Sequence, residues 1–366
     1  MKLKNYFYGF LTALVIVLAT NYVLTANGHT PLFQNSGIDN YIAQVPNNPK
    51  FAIPVECKLD KDCFILLYSD RDPSPKAVDF GCGRQTYDTH KGTDFAISDE
   101  KIMAKGVAVE SVAPGKVLRV RDGIPDRRVK NQADKDAVKN IECGNGMVID
   151  HGNGWETQYC HLRNGSVVVK PGTVVKIGTQ LGLVGESGLA SFPHVHLSFR
   201  YQGEIVDPFV GRNAKSGCNT ARNSIWQQPL SYKPTGFIRS GFAATAPTMD
   251  DLWSGKFYDT VLPGNSPALI FWVQIYGVLP GDEEHYQLFA PNGDRVIDNK
   301  KEIKSAKKTW MGYVGKRNNS QSLAKGKWRG EYSLMRGDKV LVNVSKEVEY
   351  KSVLLGEMGR WGDGGD

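Results

Sequence analysis

The chain has 366 residues, of which 41% are hydrophobic and 23% are charged. This length favours two or three domains, and the apolar fraction is enough for ordinary cores, which excludes a wholly disordered protein. The 39 glycines and 18 prolines show no period, which excludes a collagen-like sequence. The net charge of +7 is a mild bias toward anionic surroundings, too small and too dispersed to name a partner.

The first residues of the chain predict export. Lys2 and Lys4 precede an uncharged apolar run from Tyr6 to Leu24. A basic start followed by such a run is typical of a secretory signal or of a single membrane anchor. The run is long for a signal peptide and barely long enough to span a bilayer. We therefore predict a signal peptide or membrane anchor over residues 1–27 and leave its cleavage open.

The cysteines agree with an exported protein. There are six of them: Cys57, Cys63, Cys82, Cys143, Cys160 and Cys218. An even number in an exported chain indicates disulfides, and the absence of a CxxC motif argues against a zinc ribbon. Many connectivities are open, and the short loop favours pairing of Cys57 with Cys63. We expect the protein in the periplasm or elsewhere in the cell envelope.

Changes in composition divide the chain beyond residue 27 into five segments. Residues 28–75 form a polar N-terminal lead-in, and residues 76–211 alternate short apolar strands with glycine turns. Residues 212–235 have the composition of a linker. Residues 236–350 form a second β-rich unit without cysteine. The glycine-rich and acidic residues 351–366 are predicted to be a flexible tail.

The region 76–211 has the pattern of an antiparallel sheet. Met147–Asp150 and Glu156–Cys160 flank a turn in which Asn153-Gly154 can adopt the positive φ angles of a tight hairpin. Two β-branched runs, Val167–Val169 and Val174–Ile177, lie on either side of Pro171-Gly172. Such closely spaced strands predict a compact β domain.

A strongly charged segment interrupts these strands between Arg121 and Glu142. Its aspartates do not match an EF-hand, so we predict a solvated loop rather than a calcium site. We expect a short helix near Ala133–Val138, and a position at the border of a cleft.

Histidines carry the chemistry of this region. His194 and His196 lie two apart on a predicted strand, so their side chains share a face while Val195 and Leu197 point to the core. A second pair, His90 and Asp94, precedes the apolar residues of another predicted strand. His161 follows a strand that ends at Cys160, and the alternation of side chains turns Cys160 away from it. His151 lies in the hairpin turn and is predicted to be solvated.

Two histidines and one carboxylate, with a water in the fourth position, form a catalytic zinc set. The zinc lowers the pKa of its water to about 7 and polarises a substrate carbonyl, while other histidines move protons. The spacing by itself is modest evidence, because an HxH pair is common by chance.

Four segments resemble the M23 peptidase family, the lysostaphin- and LytM-like zinc endopeptidases of bacterial cell walls. They are HKGTD at 90–94, GNGMVIDHGNGWETQYCHL at 144–162, VVVKPGTVVKIGTQLGLVGESG at 167–188 and FPHVHLSFR at 192–200. Three separated motifs occur in the order found in the family, with the glycine-rich strands between them. The resemblance covers residues 76–211. It implies an antiparallel β-sheet domain with the metal in a groove.

The resemblance also implies roles for five side chains. His90, Asp94 and His196 match the family's zinc ligands. His161 and His194 match its catalytic pair, one of which accepts a proton from water while the other stabilises the oxyanion. The sequence does not decide which histidine has which role. All five are present, which argues against the degenerate members that lack ligands and activate other wall hydrolases.

The C-terminal unit shows strand patterns without a metal motif. Ala268–Val278, Tyr286–Ala290, Trp310–Val314 and Val340–Val344 predict strands. A handful of strands within residues 236–350 predicts an immunoglobulin-like β-sandwich. We expect its aromatic residues, Trp310, Trp328 and Tyr332, to serve core packing rather than as a carbohydrate platform.

The sequence thus predicts a mainly β protein that acts as a zinc metalloendopeptidase on peptide bonds of bacterial peptidoglycan. We expect Zn²⁺ as cofactor, peptidoglycan peptides as partners, no nucleic-acid partner and a monomer. A D-alanyl–diaminopimelate crosslink is favoured over a glycine bridge, because a cysteine-rich exported domain suits a periplasm. Two alternatives stay open: a non-hydrolytic envelope regulator that activates another wall hydrolase, and a wall-binding module with structural zinc.

Overall fold

Antiparallel strands dominate the computed structural model, which describes residues 45–319 and 323–351. The segment predicted as a signal peptide or anchor, residues 1–27, lies outside the described residues, as does the predicted tail beyond Lys351. All described residues belong to one unit. Within these residues, no helix is both long and apolar enough to cross a membrane.

The N-terminal part of the structure is built around an eight-stranded antiparallel sheet in the order β1-β2-β9-β6-β5-β4-β7, with β10 paired to β9. A small separate sheet pairs β3 with β8. The elements are β1 Cys63–Leu67, β2 Thr93–Ile97, α1 Glu100–Lys105, β3 Ala108–Glu110, β4 Gly115–Arg121, α2 Gln132–Ala137, β5 Asn145–Gly152, β6 Trp155–Leu162, β7 Val174–Val175, β8 Gln180–Leu183, β9 His194–Tyr201 and β10 Glu204–Val206.

Side-chain alternation along β9 divides the core from the site. Val195, Leu197 and Phe199 are fully buried in the main apolar core, and His194 and His196 extend from the other face of the strand. The mainly β, antiparallel fold predicted from the sequence is confirmed.

Residues that precede and follow the sheet along the chain also pack on its core. Phe51 is fully buried, and its backbone N–H donates to the carbonyl of Ile225 over 2.8 Å. Trp226, in the segment predicted as a linker, is only 3% exposed and contacts Phe95 and Phe199 edge-on. A few large apolar residues therefore dock these polar segments onto the sheet. The domain boundaries themselves stay a prediction.

The structure pairs all six cysteines as disulfides. Cys57 pairs with Cys63 as the short loop suggested, Cys82 with Cys218, and Cys143 with Cys160. The second pair closes a loop of 136 residues, and it joins the loop before His90 to the segment after the sheet.

Removing the long-range disulfide is expected to destabilise the protein more than removing the short one. In the chain-entropy account, closing 136 residues contributes about 5 kcal/mol and closing 6 residues about 2 kcal/mol to the free energy of unfolding. We therefore expect the Cys82→Ala/Cys218→Ala double variant to lose about 3 kcal/mol more than Cys57→Ala/Cys63→Ala. Urea denaturation of both double variants measures this difference, and equal losses would contradict it.

Two further sheets form the C-terminal part. The orders are β11-β13-β16 and β12-β18-β17-β14-β15, in which only the short pairing of β12 with β18 is parallel among the described strands. The elements are β11 Gly236–Ala243, α3 Met249–Trp253, β12 Val261–Pro263, β13 Ala268–Val278, β14 Glu283–Phe289, β15 Arg295–Glu302, β16 Lys307–Arg317, β17 Gly326–Arg336 and β18 Lys339–Lys351.

Side chains from both of these sheets share one apolar core. Phe271 of β13 lies in it together with Leu288 of β14 and Tyr332 of β17. Trp328 is also buried there, and Trp310 is partly buried against it. This agrees with core packing rather than a carbohydrate platform for the aromatic residues. The immunoglobulin-like topology stays a prediction.

An apolar and ionic interface fixes the C-terminal part against the eight-stranded sheet. The rings of Phe64 and Tyr276 stack at 5.3 Å between centroids. Arg239 Nη1 donates to Asp99 Oδ2 over 2.9 Å, and both side chains are almost completely buried. The C-terminal part is thereby held next to the face that carries the histidines.

Candidate metal centre

Pairing of β2 with β9 brings together residues that are about a hundred positions apart. In this antiparallel register Asp94 is opposite His196 and Ala96 is opposite His194. His90 precedes β2 by three residues and folds back over Asp94. The strands thus place two histidines of β9 beside the histidine and carboxylate that enter β2.

The nitrogen and oxygen atoms of His90, Asp94 and His196 converge. His90 Nε2 lies 3.1 Å from Asp94 Oδ1 and 3.1 Å from His196 Nδ1. His196 Nδ1 lies 2.8 Å from the same carboxylate oxygen. One candidate ligand atom from each of the three residues lies within 4.8 Å of the others. A set of two imidazoles and a carboxylate is one that zinc accepts.

Surrounding groups orient the two imidazoles. The carbonyl of Tyr68 lies 2.7 Å from His90 Nδ1. Because a carbonyl only accepts, Nδ1 carries the proton, which leaves the lone pair of Nε2 toward Asp94. His196 Nε2 contacts the Ser198 hydroxyl at 2.9 Å, so its Nδ1 faces the centre. A Cβ on Gly92 would lie 2.5 Å from His196 Nε2, so glycine leaves the space that the ring needs.

The pKa shifts of Asp94 and His196 favour the forms of these two residues that bind a metal, whereas the shift of His90 favours its protonated form. Burial would raise the pKa of Asp94, but the neighbouring His90 and His194 imidazoles hold it well below its usual value. Burial lowers the pKa of His196. For His90, burial lowers the pKa, but the Asp94 carboxylate outweighs it and the net shift is upward. An ionised carboxylate beside imidazoles is the form that binds a divalent metal.

His161 and His194 lie side by side next to this set. Their ring centroids are 4.6 Å apart, and the His161 centroid is 6.0 Å from that of His196. His161 Nδ1 donates to the Ser187 carbonyl and His194 Nδ1 donates to the Phe192 carbonyl, each over 2.8 Å. Nε2 is therefore the unprotonated nitrogen of each neutral ring, and His194 Nε2 lies 3.7 Å from Asp94 Oδ2.

The backbone at His161 leaves the regular strand conformation. Its φ is 66°, in the left-handed region that non-glycine residues rarely adopt. Its N–H donates to the carbonyl of Cys143, the partner of the neighbouring Cys160 in a disulfide. Burial, and then the neighbouring imidazole of His194, lowers the pKa of His161 well below its ordinary value, so the His161 imidazole is neutral.

The prediction that His151 is a solvated turn residue is wrong. Strand β5 continues through His151 to Gly152, and the imidazole is fully buried. Its Nδ1 donates to the Pro114 carbonyl and its Nε2 contacts the Thr157 hydroxyl, both at 2.7 Å. Burial lowers its pKa to about 4. The ring is a packed structural residue outside the candidate centre.

Most residues of the charged segment before β5 are exposed, which agrees with the prediction of a solvated loop. Its short helix exists, as α2. Asp126, however, accepts backbone N–H groups of Asn164 and Glu186, at 2.9 and 2.8 Å. Asp122 likewise accepts from Gly165 over 2.9 Å. These carboxylates bind the backbone of the loops beside Ser187, while Asp122 stays exposed and Asp126 is half-buried.

Two aromatic residues that sequence reasoning did not identify flank the histidines. The Tyr87 ring lies 4.4 Å from that of His90, and the Phe192 ring lies 4.4 Å from that of His194. Trp253 of the C-terminal part in turn packs on Phe192 at 5.7 Å. The only available signal was the position of Tyr87 and Phe192 close before the histidine motifs.

The fold and the buried His–Asp–His set define a mainly β protein with a candidate metal centre on one sheet. Residues 88–208 match the family model "Peptidase family M23". This match confirms, for that region of the chain, the resemblance to the M23 family that the motifs predicted.

Similar proteins come from bacteria. An "Uncharacterized metalloprotease" of Haemophilus influenzae is 30% identical over 33% of this chain and 20% of its own length. "Peptidoglycan DD-endopeptidase ShyB" of Vibrio cholerae is 32% identical over 32% of this chain and 22% of its own length. The chain therefore matches about a fifth of the length of these relatives.

Among solved structures, the catalytic domain of lysostaphin from Staphylococcus simulans is 21% identical and covers 38% of this chain and 89% of that domain. The TM-score is 0.26.

Proposed function

We propose that this chain is an exported zinc endopeptidase that hydrolyses peptide bonds in bacterial peptidoglycan. The observation that carries the proposal is the convergence of His90, Asp94 and His196 within 4.8 Å, inside the region that matches family M23. The name of the ShyB relative, a peptidoglycan DD-endopeptidase, supports the substrate class.

The ligands in this proposal are His90 through Nε2, His196 through Nδ1 and the Asp94 carboxylate. The donor set fits zinc, and the carbonyl of Tyr68 provides the outer hydrogen bond that metal-binding histidines commonly make. A zinc ion bound there would act as a Lewis acid and make a bound water more acidic.

His161 and His194 are proposed as the residues that move protons and stabilise developing negative charge. Both are neutral and buried, and both are oriented by a backbone carbonyl on Nδ1. A neutral Nε2 can accept a proton, and after protonation it can donate one to an oxyanion or to the leaving amine. Phe192 and Tyr87 cover the outer sides of the histidine cluster and reduce its access to water.

The disulfides support the proposed location. Three disulfides persist in an oxidising compartment such as a periplasm or a cell surface, and not in a reducing cytosol. We therefore place the protein in the cell envelope, which is also where its proposed substrate lies.

Digestion of purified sacculi by the oxidised protein tests the function. With zinc, we expect cross-linked muropeptide dimers to be converted to monomers, which mass spectrometry detects. A chelator should stop the conversion and added zinc should restore it, because the proposed chemistry needs the metal. If the zinc-loaded protein releases no muropeptides, the hydrolase proposal fails. The next measurement is then whether the protein stimulates another wall hydrolase.

A further inference from the structure

A strand of the C-terminal part borders the candidate centre. β16 is an edge strand of its three-stranded sheet. The Lys308 carbonyl on this strand accepts from Gln85 Nε2 over 3.4 Å, and the same amide donates to Leu66 over 2.9 Å. Gln85 is buried. This amide therefore links the edge strand to the loop that leads to His90.

The ammonium group of Lys308 lies near the aromatic ring that flanks His90. Its Nζ lies 5.8 Å from the centroid of the Tyr87 ring, and that ring lies 4.4 Å from the imidazole of His90. One aromatic ring thus separates the ammonium group from a proposed zinc ligand. Tyr87 is 42% exposed, so a ligand at the centre can reach the same surface.

Arg84 immediately precedes Gln85, whose amide contacts the Lys308 carbonyl, and adds a second positive charge at this place. Partial loss of hydration, and then the charge of Arg84, lowers the pKa of Lys308. Both cations are exposed. In the part of the chain that the structure describes, no carboxylate lies within ion-pair distance of either one, whereas Lys130 pairs with Asp250 at 2.8 Å.

We propose that Lys308 and Arg84 form a cationic subsite that binds a free carboxylate of the peptide substrate. Two neighbouring like charges without a counter-charge repel each other, and an anionic ligand removes that repulsion. Lysine supplies a point charge and arginine a planar pair of donors for the carboxylate oxygens. The C-terminal part then selects peptides that carry a carboxylate near the bond to be cut. This inference rests on the proposed function.

Substitution of Lys308 by glutamine tests the subsite, with Lys307→Gln as the matched control. Both lysines are exposed on β16, and neighbours on a strand point to opposite faces. The substrates are a cross-linked muropeptide dimer with free carboxylates and the same dimer with its carboxylates amidated. For Lys308→Gln, we expect KM on the free-carboxylate dimer to rise about tenfold with kcat nearly unchanged. The amidated dimer should show no such change, and Lys307→Gln should leave both substrates unaffected.

Other outcomes would overturn the subsite. An unchanged KM in Lys308→Gln removes it, and so does an equal loss on both dimers, which indicates a structural role. If the wild type cleaves neither dimer, the proposed function fails separately, and calorimetry on the zinc-loaded wild type still tests the subsite. The free-carboxylate dimer should then bind about tenfold more tightly than the amidated dimer, and equal affinities would refute the proposal.

Discussion

Replacing His161 by alanine is expected to lower kcat at least a hundredfold while zinc stays bound. The imidazole is buried, neutral and 4.6 Å from His194 between ring centroids, and it is outside the set of three converging ligand atoms. Loss of a positioned general acid or base typically costs about 10²–10⁴ in rate. The measurement is turnover of a muropeptide dimer together with the zinc content of the dialysed protein.

Two further variants serve as controls for this prediction. His161→Asn tolerates the φ of 66° better than alanine does, so its loss of activity cannot be assigned to backbone strain. His285→Ala removes a histidine that pairs with Asp298 in the C-terminal part and should leave turnover unchanged. Undiminished turnover in both His161 variants would refute the assigned role, and loss of zinc would make His161 a ligand instead.

Replacing Asp94 by asparagine is expected to abolish zinc binding and with it cleavage. Asp94 Oδ1 lies 2.8 Å from His196 Nδ1 and 3.1 Å from His90 Nε2, and the residue is 2% exposed. Asparagine keeps the shape but removes the negative charge that balances the metal. The loss of affinity should exceed the roughly 10–100-fold that removal of an outer-shell partner costs.

Zinc-dependent thermal stability provides a readout that does not depend on activity. A ligand that binds only the folded protein raises its stability, by about 2.7 kcal/mol at a hundred times Kd. Zinc should therefore raise the Tm of the wild type and not that of Asp94→Asn. Asp298→Asn, a carboxylate paired with His285 on the C-terminal sheet, should respond as the wild type does. Binding of one full equivalent of zinc by the Asp94→Asn variant would disprove the proposed ligand set.

Local patterns were sufficient for the strands and for the candidate residues. The alternation in β9 predicted that His194 and His196 share a face, because successive strand side chains point to opposite sides. The motif resemblance assigned roles to His90, Asp94 and His161. The same local reasoning misplaced His151, since a turn-like sequence does not reveal how far a strand continues before it turns.

The sequence by itself determined the β character, the chemical types at the candidate centre and the cysteines available for pairing. These depend on residue identity and short-range periodicity. Only the tertiary structure decided that Asp94 faces His196 across two strands, that Cys82 reaches Cys218, and that Lys308 stands beside Tyr87. Contacts between residues so distant along the chain depend on strand register and interface packing, which no local pattern encodes.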